Sequence, residues 1–398
     1  MKRLAVFCDG TWNNRDNPDS AKTNVAWLEA AVAPIDRDGI IQKTHYEPGP
    51  GANNDLTGLD RIKDKYLGGA LGRGLDDDIR NCFEFLIEHY APGDQIYIFG
   101  FSRGAYTARS LGGLLRSAGI PGGTDDLPKR IDRAFNWYRN RGQWTSPGSA
   151  SSAAYRARNG TVVSTGQRED EWRAQNGLPK LRRLSIRYMG IWDTVGALGV
   201  PGILGPFADI VNTPYRFHDD ALSRLILSGR HAVSIDEERV LYPPTLWSNL
   251  TELNGGLAHE PYRQRWFPGD HGMVGGGGKE RGLTNHSLHW VAKGAQEADL
   301  VFDIDRLAEA GPPDHRGALS NKAPSRFGHV LRKPRKGPKV VDWVSQPALD
   351  RIRDGGADGQ AYDPVPLRRL RRAVAKILGR PYREPRYPVP RPPIPRWT

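Results

Sequence analysis

The sequence predicts an α/β fold: a mostly parallel sheet flanked by helices, with an inserted cap region and a basic, proline-rich C-terminal tail. Three observations predict it. Strand-like segments at Leu4–Cys8, Ile40–Tyr46, Gln95–Phe99 and Ile186–Trp192 alternate with helical stretches, and such alternation calls for a parallel sheet covered on both faces. The runs stop at turn-forming residues, among them Asp9-Gly10, Glu47-Pro-Gly-Pro-Gly-Ala-Asn-Asn54 and Asp193-Thr-Val-Gly196. The charge is concentrated at one end: residues 331–398 hold 17 Lys and Arg against 6 Asp and Glu, a net of +11 out of +12 for the 398-residue chain.

Taken in order, Leu4–Cys8 is a buried strand. The N-terminus reaches Asp9 after only a few apolar residues, which suits a first strand better than the apolar core of a signal peptide. Ile40–Tyr46 is the second strand. In Leu75–Tyr90 the residues Ile79, Phe83, Leu86 and Ile87 recur at helical spacing. Asp76, Asp77 and Asp78 then fall in the first turn, where the helix dipole favours them, a simpler reading than metal binding. Pro92-Gly-Asp94 turns into the third strand, Gln95–Phe99. That strand runs into Gly100-Phe-Ser-Arg-Gly104 and a helix carrying Ala105, Ala108, Leu111, Leu114 and Leu115. Residues 121–180, rich in Arg, Ser, Gly and Asn, read as a cap or insertion. Ile186–Trp192 resumes the sheet. We therefore expect a catalytic domain over 1–305 and a basic extension over 306–398.

Composition excludes several classes. A chain 38% hydrophobic and 26% charged has the make-up of a globular protein. Two cysteines, Cys8 and Cys82, exclude a disulfide framework and a cysteine-based zinc site. No run approaches the ~20 apolar residues of a membrane-spanning helix.

Gly100-Phe-Ser102-Arg-Gly104 matches the G-x-S-x-G elbow, in which a sharp strand-to-helix turn lifts a nucleophilic serine above the sheet. Five residues with three fixed are weak alone; the entering strand and leaving helix give the match its weight. The alternative is an ordinary turn with Ser102 as a helix cap. A serine needs a base, and the base an orienting carboxylate, in the chain order Ser, Asp or Glu, His. Asp193, at the end of Ile186–Trp192, is the candidate acid, unless it only caps its turn. Histidines 218, 231, 259, 271, 286, 289, 315 and 329 lie downstream of Ser102. His271 stands out on a glycine-dense loop that follows a short apolar run, with His231 next. For the oxyanion hole, the backbone N–H of Arg103 is one candidate donor and that of Gly10 or Thr11 the second. Two other motifs fail: Cys8-Asp9-Gly10-Thr11 has Phe7 where an aspartyl-phosphate loop needs a carboxylate two residues before Asp9, and Gly275–Lys279 breaks the Walker pattern twice.

Six ordered blocks together resemble the catalytic domain of type VI secretion lipase effectors, an α/β-hydrolase family of bacteria. They are Phe7-Cys-Asp-Gly-Thr-Trp-Asn13, Gly49-Pro-Gly51, Gly100–Arg109, Gly190-Ile-Trp-Asp-Thr-Val-Gly196, Arg230–Arg239 and Trp266–Gly277, spanning about residues 1–305. The resemblance implies Ser102, Asp193 and His271 as catalytic residues. It implies ester hydrolysis with phospholipids as substrates, synthesis in the bacterial cytoplasm, export by a type VI system, and a secretion-apparatus or immunity protein as partner. Relatives often carry Ser-Asp after the histidine, where this chain has Gly272-Met273, so an acidic contact of that loop is expected to be missing. Arg230–Arg239, with no chemical role, reads as a helix packed beside the histidine loop.

These residues need no metal or organic cofactor. In the tail, Leu367, Leu370, Val374, Ile377 and Leu378 line one face of a helical stretch whose other faces are basic. That stretch, 366–380, fits either an anionic membrane surface or docking on the body. Two alternatives use the same features: a carboxylesterase or polyester depolymerase with the same three residues, or a non-catalytic scaffold or nucleic-acid-binding protein with a degenerate hydrolase body. No recognised nucleic-acid module is present to support the last.

Overall fold

In the computed structural model, the described residues are 1–379 except 12, 18–20, 51–68, 141, 197–219, 241, 258, 322–331 and 358. Outside them lie Gly51, His218, His329, the Pro-rich end from 380 and part of the turn Glu47–Asn54. The main sheet has six strands: β1 (Arg3–Cys8), β2 (Gln42–Glu47), β3 (Gln95–Phe101), β6 (Ile186–Trp192), β7 (Gly229–Ser234) and β8 (Tyr262–Phe267). Their order is β2-β1-β3-β6-β7-β8, and every pairing is parallel. The short strands β4 (Val163–Ser164) and β5 (Arg182–Arg183) form a separate parallel pair.

Strand alternation divides the core in two. Leu4, Val6, Cys8, Ile96, Ile98, Met189 and Ile191 point to the face covered by helices Gly69–His89 and Arg103–Ala118. Ala5, Phe7, Tyr97, Phe99, Tyr188 and Trp192 point to the other, under helices Asn24–Ala30 and Gly282–Glu297. Both faces of β1, β3 and β6 are buried, so these strands read as mainly apolar runs rather than as an alternation. The result is an α/β-hydrolase-like sheet with helices on both sides.

Three expectations change. The helix predicted from Leu75 begins at Gly69, so Asp76–Asp78 lie inside it and not in its first turn. Asp78 is buried there, whereas Asp76 pairs with Arg139. Arg230–Arg239 begins as strand β7 rather than as a helix. Arg230 misleads because its buried guanidinium is paired with Glu297 (2.5 Å) on the helix Gly282–Glu297. The segment 121–180 is largely helical, and its Ile131, Ala134, Phe135, Tyr138 and Val163 join the core beneath Arg103–Ala118.

The basic extension also packs on the body. Val344, Ala348, Leu349, Tyr362, Leu367 and Val374 form a third cluster with Val233, Ile235 and Trp266 of the β7–β8 edge. The predicted helix over 367–378 is divided into a 3-10 turn, Val365–Leu370, and a helix, Arg371–Ile377. Its apolar side faces the body through Leu367 and Val374, while Ile377 stays exposed. Of the two tail readings, this packing is the docked one.

Candidate active site

β3 delivers Ser102 to the carboxyl edge of the sheet. The residue adopts φ 57°, a left-handed conformation that few L residues take. The glycines around it are dictated by space. A Cβ on Gly100 would lie 2.4 Å from the Gly104 carbonyl oxygen, and one on Gly104 would lie 2.2 Å from that of Cys8. Gly104 lets the elbow helix approach β1 this closely, and Gly100 lets the end of β3 fold against that helix. The helix Arg103–Ala118 starts at the next residue and turns its positive end toward Ser102.

Opposite the elbow, β8 leads through Gly269 and Asp270 into a short helix, His271–Gly275. Asp270 caps it by accepting from the Met273 N–H (2.9 Å). The Glu237 carboxylate accepts from the His271 N–H (3.2 Å). The loop therefore has acidic contacts, contrary to the expectation drawn from Gly272-Met273. Its glycines make room for Phe101, since a Cβ on Gly275 would fall 1.9 Å from that ring. Phe101 and Tyr242 flank the His271 imidazole at 4.7 and 5.0 Å between centroids.

The three predicted site residues meet here. His271 Nε2 lies 2.8 Å from Ser102 Oγ, and His271 Nδ1 lies 2.5 Å from Asp193 Oδ2. All three are buried. Asp193 follows directly on β6 with φ 38° and accepts from the Ser234 N–H at Oδ1 (2.9 Å). A residue that sequence reasoning missed completes its shell. Arg335 donates to both oxygens, at 2.7 Å to Oδ1 and 2.9 Å to Oδ2. Burial alone would raise the Asp193 carboxyl, but Arg335 and then His271 outweigh it and hold the acid well below the usual carboxylate range.

His231, the second candidate base, is fully buried behind this turn. Its Nδ1 lies 3.0 Å from Gln264 Oε1, and its Nε2 lies 3.3 Å from Thr194 N. Burial, aided by Arg109, lowers it to about 3, so it is a neutral brace for the Asp193–Thr194 turn.

Of the two loop donors, the Gly10 N–H is taken by the Asp9 carboxylate (2.7 Å). Asp9 also accepts from Thr23 and Tyr46 (both 2.7 Å). Burial raises it to about 6 despite these bonds. The Arg103 side chain reaches back to Thr11 Oγ1 (2.8 Å), tying the elbow to this loop. Gly49 backs the loop so closely that a Cβ would sit 1.7 Å from the Gly10 carbonyl oxygen. Among the described residues, the one group with metal-ligand chemistry is His45, Glu47 and Cys82, within 4.8 Å of one another. Glu47 there already bonds His45 and Asn81 (both 3.1 Å), and Cys82 contacts Cys8 (3.7 Å).

A strained serine elbow on a six-stranded parallel sheet, with an imidazole and a carboxylate beyond it, defines the α/β-hydrolase class. Residues 2–294 match the family described as T6SS, phospholipase effector Tle1-like, catalytic domain, and the chain belongs to that family. An uncharacterized protein of Saccharomyces cerevisiae, YEL023C, is 25% identical over 213 residues, covering 51% of this chain and 27% of that one. Among solved structures, an uncharacterized protein from Pseudomonas aeruginosa aligns at 18% identity (TM-score 0.38; 76% of this chain, 46% of that chain). A Tle1 effector bound to the VgrG spike aligns at 16% (TM-score 0.34; 70% and 51%). Zea mays acyl-protein thioesterase 2 aligns at 10% (TM-score 0.27; 74% and 94%). The chain thus spans 27% of the yeast relative and about half of the effector chain.

Proposed function

We propose that the protein is a serine hydrolase that cleaves carboxylic esters of lipids, phospholipids foremost, through Ser102, His271 and Asp193. The observation that carries this reading is the unbroken hydrogen-bond chain from Ser102 Oγ through both His271 ring nitrogens to Asp193. Membership of a phospholipase-effector family supports the lipid substrate.

His271 takes the Ser102 proton as Oγ attacks the ester carbonyl. Negative charge develops on the carbonyl oxygen, where the Arg103 and Thr11 backbone N–H groups and the helix N-terminus stabilise it. His271 then protonates the leaving alcohol and activates a water that releases the fatty acid. Asp193 holds the imidazole in the correct tautomer and stabilises its positive form without taking the proton.

Export by a type VI system, with a protein of the secretion apparatus as partner, is supported by the family and belongs to the same proposal. Any membrane attraction through 366–380 rests mainly on the exposed Arg368, Arg369, Arg372 and Lys376, because Leu367 and Val374 face the body and Ile377 alone of the apolar face is exposed among the described residues. Product analysis tests the substrate. We expect free fatty acid and lysophospholipid from phospholipid vesicles at rates above those on short soluble esters. Turnover of soluble esters alone would replace the phospholipase reading by a carboxylesterase.

A further inference from the structure

We propose that Arg335 is a positioning residue for the Asp193–His271 pair, so that a segment beyond the family's matched residues completes the active site. The inference rests on the serine-hydrolase reading above. Arg335 lies 64 positions beyond His271, in the basic proline-containing stretch, and carries no motif.

The geometry is that of a clamp. The guanidinium fork meets both Asp193 oxygens at 2.7 and 2.9 Å, the bidentate arrangement in which arginine fixes the plane of a carboxylate. Each oxygen is then doubly determined: Oδ1 by Arg335 and the Ser234 N–H, Oδ2 by Arg335 and His271. Its Nη1 and Nη2 groups also donate to the carbonyls of Ser234 (3.0 Å) and Tyr242 (2.6 Å), while the buried Nε–H has no partner among the described residues. Its own chain is stitched to the same loop, since the Lys333 N–H donates to the Glu238 carbonyl (2.7 Å) and Arg332 bridges Arg239. That loop supplies Glu237 to the His271 N–H and Tyr242 to the imidazole face, with Arg239 over the Tyr242 ring at 3.8 Å. The extension therefore touches the acid directly and the base through its flanking loop.

The clamp has an electrostatic consequence. A carboxylate shared with a cation offers less stabilisation to the imidazolium that forms in each step than a bare carboxylate would. Removing the guanidinium charge while the acid stays in place strengthens that stabilisation, and removing the fork loosens the acid. The other groups facing this pair are Glu237, Arg239, Tyr242, Asp270 and His231; of these only Tyr242 bonds Arg335, through its backbone carbonyl.

The test compares full-length wild type, Arg335→Gln, Arg335→Lys and Ser102→Ala on a short soluble ester from about pH 5 to 9. Arg335→Gln is expected to lower kcat about tenfold or more with KM within about twofold. It should also move the acid limb of the kcat/KM profile upward by about half a pH unit or more. Arg335→Lys keeps the charge and should restore the limb but not the full kcat. A folded Arg335→Gln protein with wild-type kcat and limb overturns the proposal. If the Gln variant does not fold, the Lys variant decides: reduced kcat at unchanged KM supports the clamp, and wild-type kcat removes it. Hydrolysis by Ser102→Ala would instead sink the serine reading, whatever Arg335 does.

Discussion

At Gly104 a methyl group would land 2.2 Å from the Cys8 carbonyl oxygen and 2.3 Å from that of Asp9. Both neighbours are backbone, so the elbow helix would have to move away from β1, carrying the Arg103 N–H and Ser102 with it. A displacement of about 1 Å at a reacting group costs on the order of 10²-fold in rate. We therefore expect Gly104→Ala to lose about that much ester hydrolysis, measured on a soluble ester; an unaffected rate would mean that the tight approach is irrelevant to the serine. At this scale the sequence was informative where a motif or a strand end marked the residue. Ser102, Asp193 and His271 were selected that way, and the structure brings them into contact. Choosing between Gly10 and Thr11 was not possible from sequence, because it depends on Asp9 folding back onto the Gly10 N–H. Arg335 was invisible for a different reason: nothing in a run of basic residues says which guanidinium turns inward.

Among the elements, the strands buried on both faces were the easiest to read, since β1, β3 and β6 are dominated by apolar residues, with Arg3, Gln95 and Arg187 the polar exceptions. β7 was misread as a helix because Arg230 and His231 look exposed in sequence. In the fold the first is paired with Glu297 and the second with Gln264. The helix Gly69–His89 was read without its first residues, which put Asp78 in a terminal turn instead of inside. The difference has a measurable consequence. Burial, then the charges of Glu47 and Asp77, push Asp78 up to about 8, whereas in the unfolded chain it ionises near about 4. Between those values the unfolded chain has lost a proton that the folded one keeps, so rising pH favours unfolding. Asp78→Asn removes this contribution. Its advantage in Tm over wild type should widen from about pH 4 to about pH 8 and then level off. A Tm difference independent of pH would contradict the burial argument.

For the whole molecule, the charge asymmetry first suggested a neutral body with a cationic appendage. The extension instead shares a core with β7 and β8 through Trp266, Leu367 and Val374, and it meets the acid of the site through Arg335. Placing an unpaired charge in that core costs several kcal/mol, on the order of 2–7 for a buried polar group left without partners. Val374→Asp should therefore lower a single cooperative melting transition of the full chain. An early transition of the extension alone, with the main one unmoved, would show that the two parts are energetically separate.

The central claim is that Ser102 is a nucleophile activated by His271 and Asp193. Its most direct test is to treat the full chain with a fluorophosphonate and locate the adduct by mass spectrometry. The account predicts a phosphonyl group on Ser102, slower labelling in His271→Gln and none in a folded Ser102→Ala. An adduct on another residue, or undiminished labelling of Ser102→Ala, would contradict it.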